Sequence, residues 1–490
     1  MKEVIIIGGG LGGMAAALAL LMQGFKVSLF ESNYRLGGKA GAEKKDENYE
    51  DHGFHIFPTW YVNIFKIINE LEIQDNFIDV NSFHQIRKKG EFPNLVKIQN
   101  FTSFKFALKN IMSGALPKAE MFLYYYSVAD LLSQPYRRRA FLDQLSVNGF
   151  IRSRFYRTER ISLQYQDLLL KFISVPSYRV SAMTTKIMLG FWVKHSIPMH
   201  KILKGDMERF FIQPFSQKLK ELGCKIVLSS DLEKIDVDGS RIKSVSIRNL
   251  KSNKLNRIEV DNLILAIPPE KISNLIDDDV FTSAPQLAKI NNLGNEPMAA
   301  LNIYFKGKIN GIPKYHVNLI NSKYSITFID VSQIWDNLNN TVLNIIASEI
   351  GKLKTLSDRK ATSEIIEELR LFIPFENADI EKTFYQSHVN EPLVTNDVGS
   401  WHYRPYASTE LKNLYLAGAY CRNHIDMTSM EGAVISGLSA AKKLGEDIGI
   451  DLKINIQKPK VYPRILFVLG KIILFPLVVL AKIAVLLGKD

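Results

Sequence analysis

An α/β fold assembled from discontinuous stretches of chain is predicted by three observations. The chain opens on a short all-apolar run, Val4 to Ile7, that leads straight into a glycine-rich turn. A second such run, Leu414 to Ala417, lies near the other end and precedes a stretch of small residues. Between them, short strands follow one another from Lys225, and aromatic-rich stretches recur at helical spacing. With 490 residues there is room for two or three domains, each with its own core. A hydrophobic fraction of 46% is that of a globular protein and argues against disorder.

The net charge of +12 suits an anionic partner. No basic cluster of the kind that marks a nucleic-acid module stands out, so a lipid surface is the better expectation and no nucleic-acid partner is predicted. Two cysteines, Cys224 and Cys421, lack zinc-type spacing. No metal site is therefore expected, and a reducing compartment fits better than a disulfide framework. Because the first strand starts within a few residues of Met1, no signal peptide and no secretion are expected.

The first strand runs into Gly8-Gly9-Gly10-Leu11-Gly12-Gly13, in which Gly8, Gly10 and Gly13 fit G-x-G-x-x-G. The first glycine allows a tight turn, the second lets backbone approach a pyrophosphate, and the third lets helix pack on strand. A helix is predicted over Met14 to Gln23, stopping at Gly24, with its N-terminal N–H groups turned to the phosphates. Lys26 to Phe30 reads as the second strand. Glu31 ends it, where a carboxylate can accept both hydroxyls of an adenosine ribose. Strand, turn, helix, strand and acid in this order predict a Rossmann-type dinucleotide site, without deciding between NAD and FAD.

The next residues, Glu31-Ser-Asn-Tyr-Arg35-Leu-Gly37-Gly38-Lys39, resemble the E-x(3)-R-x-G-G-R/K stretch of the flavin-containing amine oxidase and carotenoid desaturase superfamily. The resemblance implies FAD. Physically, Arg35 can grip the pyrophosphate, and Gly37 and Gly38 let the chain pass close to it. Further matches point to the plant-type phytoene desaturase branch. In EDHGFHIFPTWYVN, residues Gly53, His55, Ile56, Phe57, Tyr61 and Asn63 fit. Gly205-Asp-Met-Glu208-Arg209-Phe resembles a G-x-x-E-R-L helix. Asn413-Leu-Tyr-Leu-Ala-Gly418-Ala, followed by Ser429-Met-Glu-Gly432-Ala433-Val-Ile-Ser-Gly437, resembles the last FAD segment. Thr428 and Glu431 have capping-box spacing, so a helix is expected to start near Ser429. Met430, Gly432 and Ala433 sit at that start, where N–H groups would favour negative charge on a reduced ring. Two departures stand out. Ala419 replaces an acid that the family usually places after L-A-G, and Trp60 stands where small residues are usual.

The expected architecture is thus α/β: a Rossmann-type FAD-binding domain from 1–85, 205–275 and 395–450, an α+β substrate domain from 86–204 and 276–394, and a membrane-associating tail, 451–490. His55 and Arg404 are the candidate catalytic residues; no acid–base pair is compelling. His402 and Tyr406 lie near in sequence. Phe101, Phe104, Leu108 and Met112 recur at helical spacing and read as core, with a tunnel-lining role in reserve. The resemblance implies an FAD-dependent oxidoreductase that desaturates an isoprenoid or carotenoid-like lipid and passes electrons to a quinone-like acceptor. Alternatives within the resemblance are dehydroxylation of a squalene precursor, redox-neutral polyene isomerisation, and a non-catalytic prenyl-lipid escort.

The tail from Tyr462 to Lys489 is apolar except for Arg464, Lys471, Lys482 and Lys489. On a helix these four fall within about 20° of one another. Lysine near mid-bilayer costs roughly 2.5–3.5 kcal/mol. An interfacial helix whose lysines reach up to the headgroups is therefore expected, making this a monotopic protein of the cytoplasmic membrane face. A tilted span and a helix docked on the protein itself are the alternatives. The arginines at 137–139, 152, 154, 157 and 160 form the largest local surplus of charge. They read as a solvated face or a lipid contact.

Overall fold

A computed structural model describes residues 3–99, 104–195, 197–275 and 278–488. At its centre is a five-stranded parallel sheet. Its order is Lys225–Val227, Lys26–Phe30, Glu3–Ile7, Asn262–Leu265, Leu414–Leu416. Glu3–Ile7 sits in the middle and must be apolar on both faces. Val4 and Ile6 face the helix side, packing with helices Leu11–Leu21 and Met430–Asp447. Ile5 and Ile7 face the other side, against the antiparallel strands Ser230–Asp238 and Arg241–Asn249. The first helix starts at Leu11, three residues before the sequence suggested, so Gly12 and Gly13 lie within it.

The second half is a seven-stranded sheet, ordered Ile380–Ser387, Ala299–Phe305, Val342–Ala347, Ile326–Asp330, His316–Leu319, Ser82–Ile86, Leu95–Gln99. Its pairs are antiparallel save Ser82–Ile86 with His316–Leu319. The boundary expected at 85/86 therefore falls inside a strand; the change of sheet comes before Ser82. A small sheet joins the halves: His200–Leu203 pairs with both Phe57–Pro58 and Phe77–Val80. Helices Lys118–Ser133, Glu159–Ile173, Ala182–Lys194 and Asp358–Arg370 are among those that belong to this half. Leu108 and Met112, read as core, are 48% and 60% exposed, so the apolar spacing marks a surface face. Phe101 lies outside the described residues.

After the 430–447 helix the chain forms an extended strap. Leu452 is buried over Gly445, whose absent Cβ would lie 2.4 Å from Leu452 Cγ. Gln457 exchanges two hydrogen bonds with the Asn63 side chain, both 2.8 Å. His195 pairs with the Lys460 carbonyl at 3.0 Å. The last helix, Arg464–Leu486, runs unbroken through Pro476 and lies along Lys118–Ser133.

Through Arg464, Lys471 and Lys482 the basic stripe points at the protein and not at solvent, which corrects the expected orientation; Lys489 lies outside the described residues. Arg464 Nε donates to the Ser133 carbonyl at 2.6 Å, Lys471 forms an ion pair with Asp130, and Lys482 Nζ donates to the Arg157 carbonyl at 2.7 Å. The reason is local. Ser133 ends its helix, leaving an orphan carbonyl at a negative dipole end, and Asp130 is a buried acid that needs cations. Val478 is fully buried on the same side. The apolar face points outward: Ile472 is 67% exposed, Ile473 72% and Leu480 61%.

Candidate cofactor and substrate site

Two glycine turns meet at the C-terminal edge of the parallel sheet. Gly37 N–H donates to the Gly9 carbonyl at 2.8 Å, and a Cβ at Gly38 would lie 3.1 Å from Gly10 Cα. Gly8 has φ +105° and Gly37 +102°, which only glycine holds without strain. At Gly13 an added Cβ would come within 2.0 Å of the Gly8 carbonyl oxygen, so helix and strand touch there. Glu31 is buried at the end of its strand; Oε2 accepts from Gly9 N–H at 2.6 Å and Oε1 from Asn33 N–H at 2.7 Å. Oε1 also accepts from the Ser32 hydroxyl at 3.2 Å, so Oε2 is the oxygen that keeps a lone pair for a ribose hydroxyl.

Arg35 is buried below this loop. It reaches the Leu36 carbonyl (3.3 Å), the Gly38 carbonyl (3.5 Å) and the His52 ring (3.1 Å), while Nε has no partner. It stiffens the loop from beneath, and its orphan Nε suits an anionic group. Lys39 pairs with Glu270 at 3.5 Å and with the Pro392 carbonyl, so its charge is already engaged. Gly53, φ +103°, lets the chain cross close to the second sheet, since a Cβ there would lie 2.8 Å from Ile346 Cγ1.

The 430–447 helix closes the site. Its N-cap is Ser429, which accepts from Gly432 N–H at 3.0 Å; Ala433 N–H donates to the Ser429 carbonyl. Thr428 and Glu431 do not form the expected capping box. Glu431 is fully buried and instead caps the Val62–Glu70 helix, accepting from Asn63 N–H, Asn63 Nδ2 and Ile64 N–H at 2.7 to 2.9 Å. Gly432 and Ala433 therefore contribute small size, while the free donors of this terminus belong to Met430 and Glu431. Gly437 serves packing: a Cβ there would lie 2.0 Å from the Gly12 carbonyl oxygen. Gly418 N–H donates to Ser436 Oγ at 2.7 Å, tying the last strand to this helix.

Of the two catalytic candidates, Arg404 is fully buried and holds the loop after Gly418. It donates to the Ala419 and Tyr420 carbonyls and pairs with Asp426 at 3.4 Å. Arg139 also pairs with Asp426, at 2.7 Å. Arg404 is thus a positioning residue. Burial lowers His55 to about 4 and His52 to about 3, so both rings are neutral at physiological pH. The His388 ring centre lies 5.0 Å from that of His52, the two rings tilted at 53°. Nothing in the sequence marked His388 or Asp426, and the motif match at Asn63 did not reveal its bond to Glu431, because these partners are remote in the chain.

An apolar cavity of about 60 Å³ lies in the second half. Phe83, Leu168, Phe172, Met188, Trp192 and Met199 are among its walls. Met199 connects it to the 53–61 turn, since its carbonyl accepts from Thr59 N–H. Trp60 is not among those walls. It is buried against Phe191, stacked at 5.4 Å, so it fills core rather than narrowing this cavity.

A dinucleotide cradle made from three chain segments, facing a second lobe with an apolar cavity, defines a two-lobed nucleotide-cofactor oxidoreductase. The family model for flavin containing amine oxidoreductases matches residues 11–444, and the chain belongs to that family. It is an FAD-dependent oxidoreductase. Similar curated proteins are the 15-cis-phytoene desaturases of Solanum lycopersicum and Synechococcus elongatus. The first is 24% identical over 91% of this chain and 78% of its own length; the second is 22% identical over 90% and 95%. The zeta-carotene desaturase of Synechocystis is 22% identical over 90% of this chain and 97% of its own length. Among solved structures, putrescine oxidase superposes with a TM-score of 0.69 at 15% identity, covering 91% of this chain and 99% of that one. Cyclohexylamine oxidase from Brevibacterium oxydans gives 0.66 at 15% identity, covering 91% and 99%.

Proposed function

We propose that this protein desaturates a lipophilic isoprenoid or carotenoid-like substrate at a membrane surface and passes the electrons to a quinone-like acceptor. The observation that carries this reading is the apolar cavity, joined through Met199 to the turn beside the cofactor cradle. Bound FAD supplies a ring able to accept a hydride. The chain then has to hold the substrate carbon flat and exclude water, rather than supply a strong acid or base. The neutral His52 and His55 and the structural Arg404 agree with that division of labour. Ligand pockets commonly span ~300–1,000 Å³. A cavity of about 60 Å³ must therefore widen around a long polyene, and Met188 and Met199 are adaptable walls. The outward apolar face of the last helix seats the enzyme where such a substrate dissolves.

The test uses the full chain. It should purify with a flavin spectrum, and that flavin should bleach anaerobically on adding phytoene or zeta-carotene in liposomes. A benzoquinone should restore the colour, with product two hydrogens lighter per turnover. Flavin that no polyprenyl lipid reduces, or a product of unchanged mass, would overturn the reading.

A further inference from the structure

We infer that the junction between the last helix and the end of the Lys118–Ser133 helix is a binding site for a phosphate-bearing anion, filled by the headgroup of an anionic membrane lipid. The inference rests on the proposed membrane seat and adds a specific ligand to it. A cavity of about 300 Å³ opens there. Four of its walls are the cations Arg137, Arg138, Arg464 and Lys471, and no carboxylate lines it. Arg137 and Arg138 are exposed and have no ion-pair partner among the described residues. Arg464 commits Nε to the Ser133 carbonyl, which leaves the outer edge of its guanidinium open. Lys471 is paired with Asp130, but Asp130 also holds Arg154 at 2.8 Å, so that trio keeps one net positive charge.

A fifth cation stands nearby. Lys186 is 6% exposed, sits 4.2 Å from the centre of the Tyr136 ring, and has no carboxylate partner among the described residues. Burial first, and the charge of Arg464 second, push it down to about 8. Such a gathering of cations is relieved by an anion, and arginine forks match phosphate oxygens in geometry. The remaining walls say which anion. Val468 and Ile472 of the last helix close one side, and Ile465, Leu469 and Ile473 continue outward as exposed apolar surface. A headgroup seated on the arginines would lay its acyl chains along that surface.

The experiment measures binding of the flavin-loaded full chain to phosphatidylcholine vesicles, with and without phosphatidylglycerol. The variant is R137A/R138A, and R152A/R157A serves as the charge-matched control. Wild type should prefer the anionic vesicles. R137A/R138A should lose that preference on the order of 30-fold while keeping its binding to neutral vesicles and its flavin spectrum. The control should lose little. Equal losses in the two variants, or an intact preference in R137A/R138A, would overturn the site. If wild type shows no lipid preference yet binds inorganic phosphate by ³¹P NMR, and R137A/R138A does not, the lipid assignment fails and the phosphate site stands. If no vesicle binds at all, the membrane seat itself fails, and the phosphate measurement alone decides the site.

Discussion

Gly13 and Glu431 show how single residues carry the cofactor site. A methyl at Gly13 would collide with the Gly8 carbonyl oxygen, a backbone atom that cannot move without opening the turn. Gly13→Ala should therefore purify with little flavin, read as the ratio of visible to protein absorbance; full occupancy would refute the tight contact. Glu431 accepts three N–H donors in a fully buried position, and burial, outweighing those donors, raises it to about 7. A raised acid keeps its proton in the native state while the unfolded chain releases it near its ordinary value. Its contribution to stability is thus fullest below about pH 4.5 and is lost as pH rises to about 7, a change of roughly 3 kcal/mol. Glu431→Gln cannot titrate. Urea melts of both proteins from pH 5 to 8 should show wild type losing stability relative to the variant as pH rises. Parallel curves would show that the acid stays ionised throughout.

At the scale of elements, the last helix is held by a seam rather than by its greasy face. Asp130 collects Lys471, Arg154, the Tyr156 hydroxyl and Gln134 in a nearly buried position. Removing it leaves two cations without their anion, a loss that typically costs ~3–5 kcal/mol. Asp130→Ala should loosen the helix and speed proteolysis within residues 451–463, while Asp130→Glu should largely restore protection. Helical periodicity showed that four cations share one face, but it carries no information about which way that face turns. The deciding partner, Asp130, is 341 residues from Lys471 in sequence. The lone acid in the apolar stretch before Leu131 was the available clue. By contrast, the first strand, turn and second strand were legible because strand burial and positive-φ glycines are local requirements. Arg404 is a candidate by its closeness in sequence to a motif, which does not reveal that its targets include backbone carbonyls.

For the whole molecule, the strap between the 430–447 helix and the last helix links the last helix to the cofactor site. Leu452 fills the space over Gly445, and Gln457 holds the Asn63 side chain that also serves Glu431. The last helix packs chiefly on the 118–133 helix. Two truncations separate the roles. A chain ending after Val461 keeps the strap and loses only the seam and the outward apolar face. It should hold its flavin, lose binding to neutral vesicles, and act on detergent-dispersed substrate. A chain ending after Ile450 also loses Leu452 and Gln457, leaving Asn63 short of two hydrogen bonds and Gly445 uncovered. It should lose flavin and melt lower, since each unmade buried bond costs about 1–3 kcal/mol. Equal flavin content in the two truncated chains would show that the strap is only a tether. Undiminished vesicle binding after the first cut would move the membrane seat elsewhere, to other exposed apolar faces such as Leu108 and Met112.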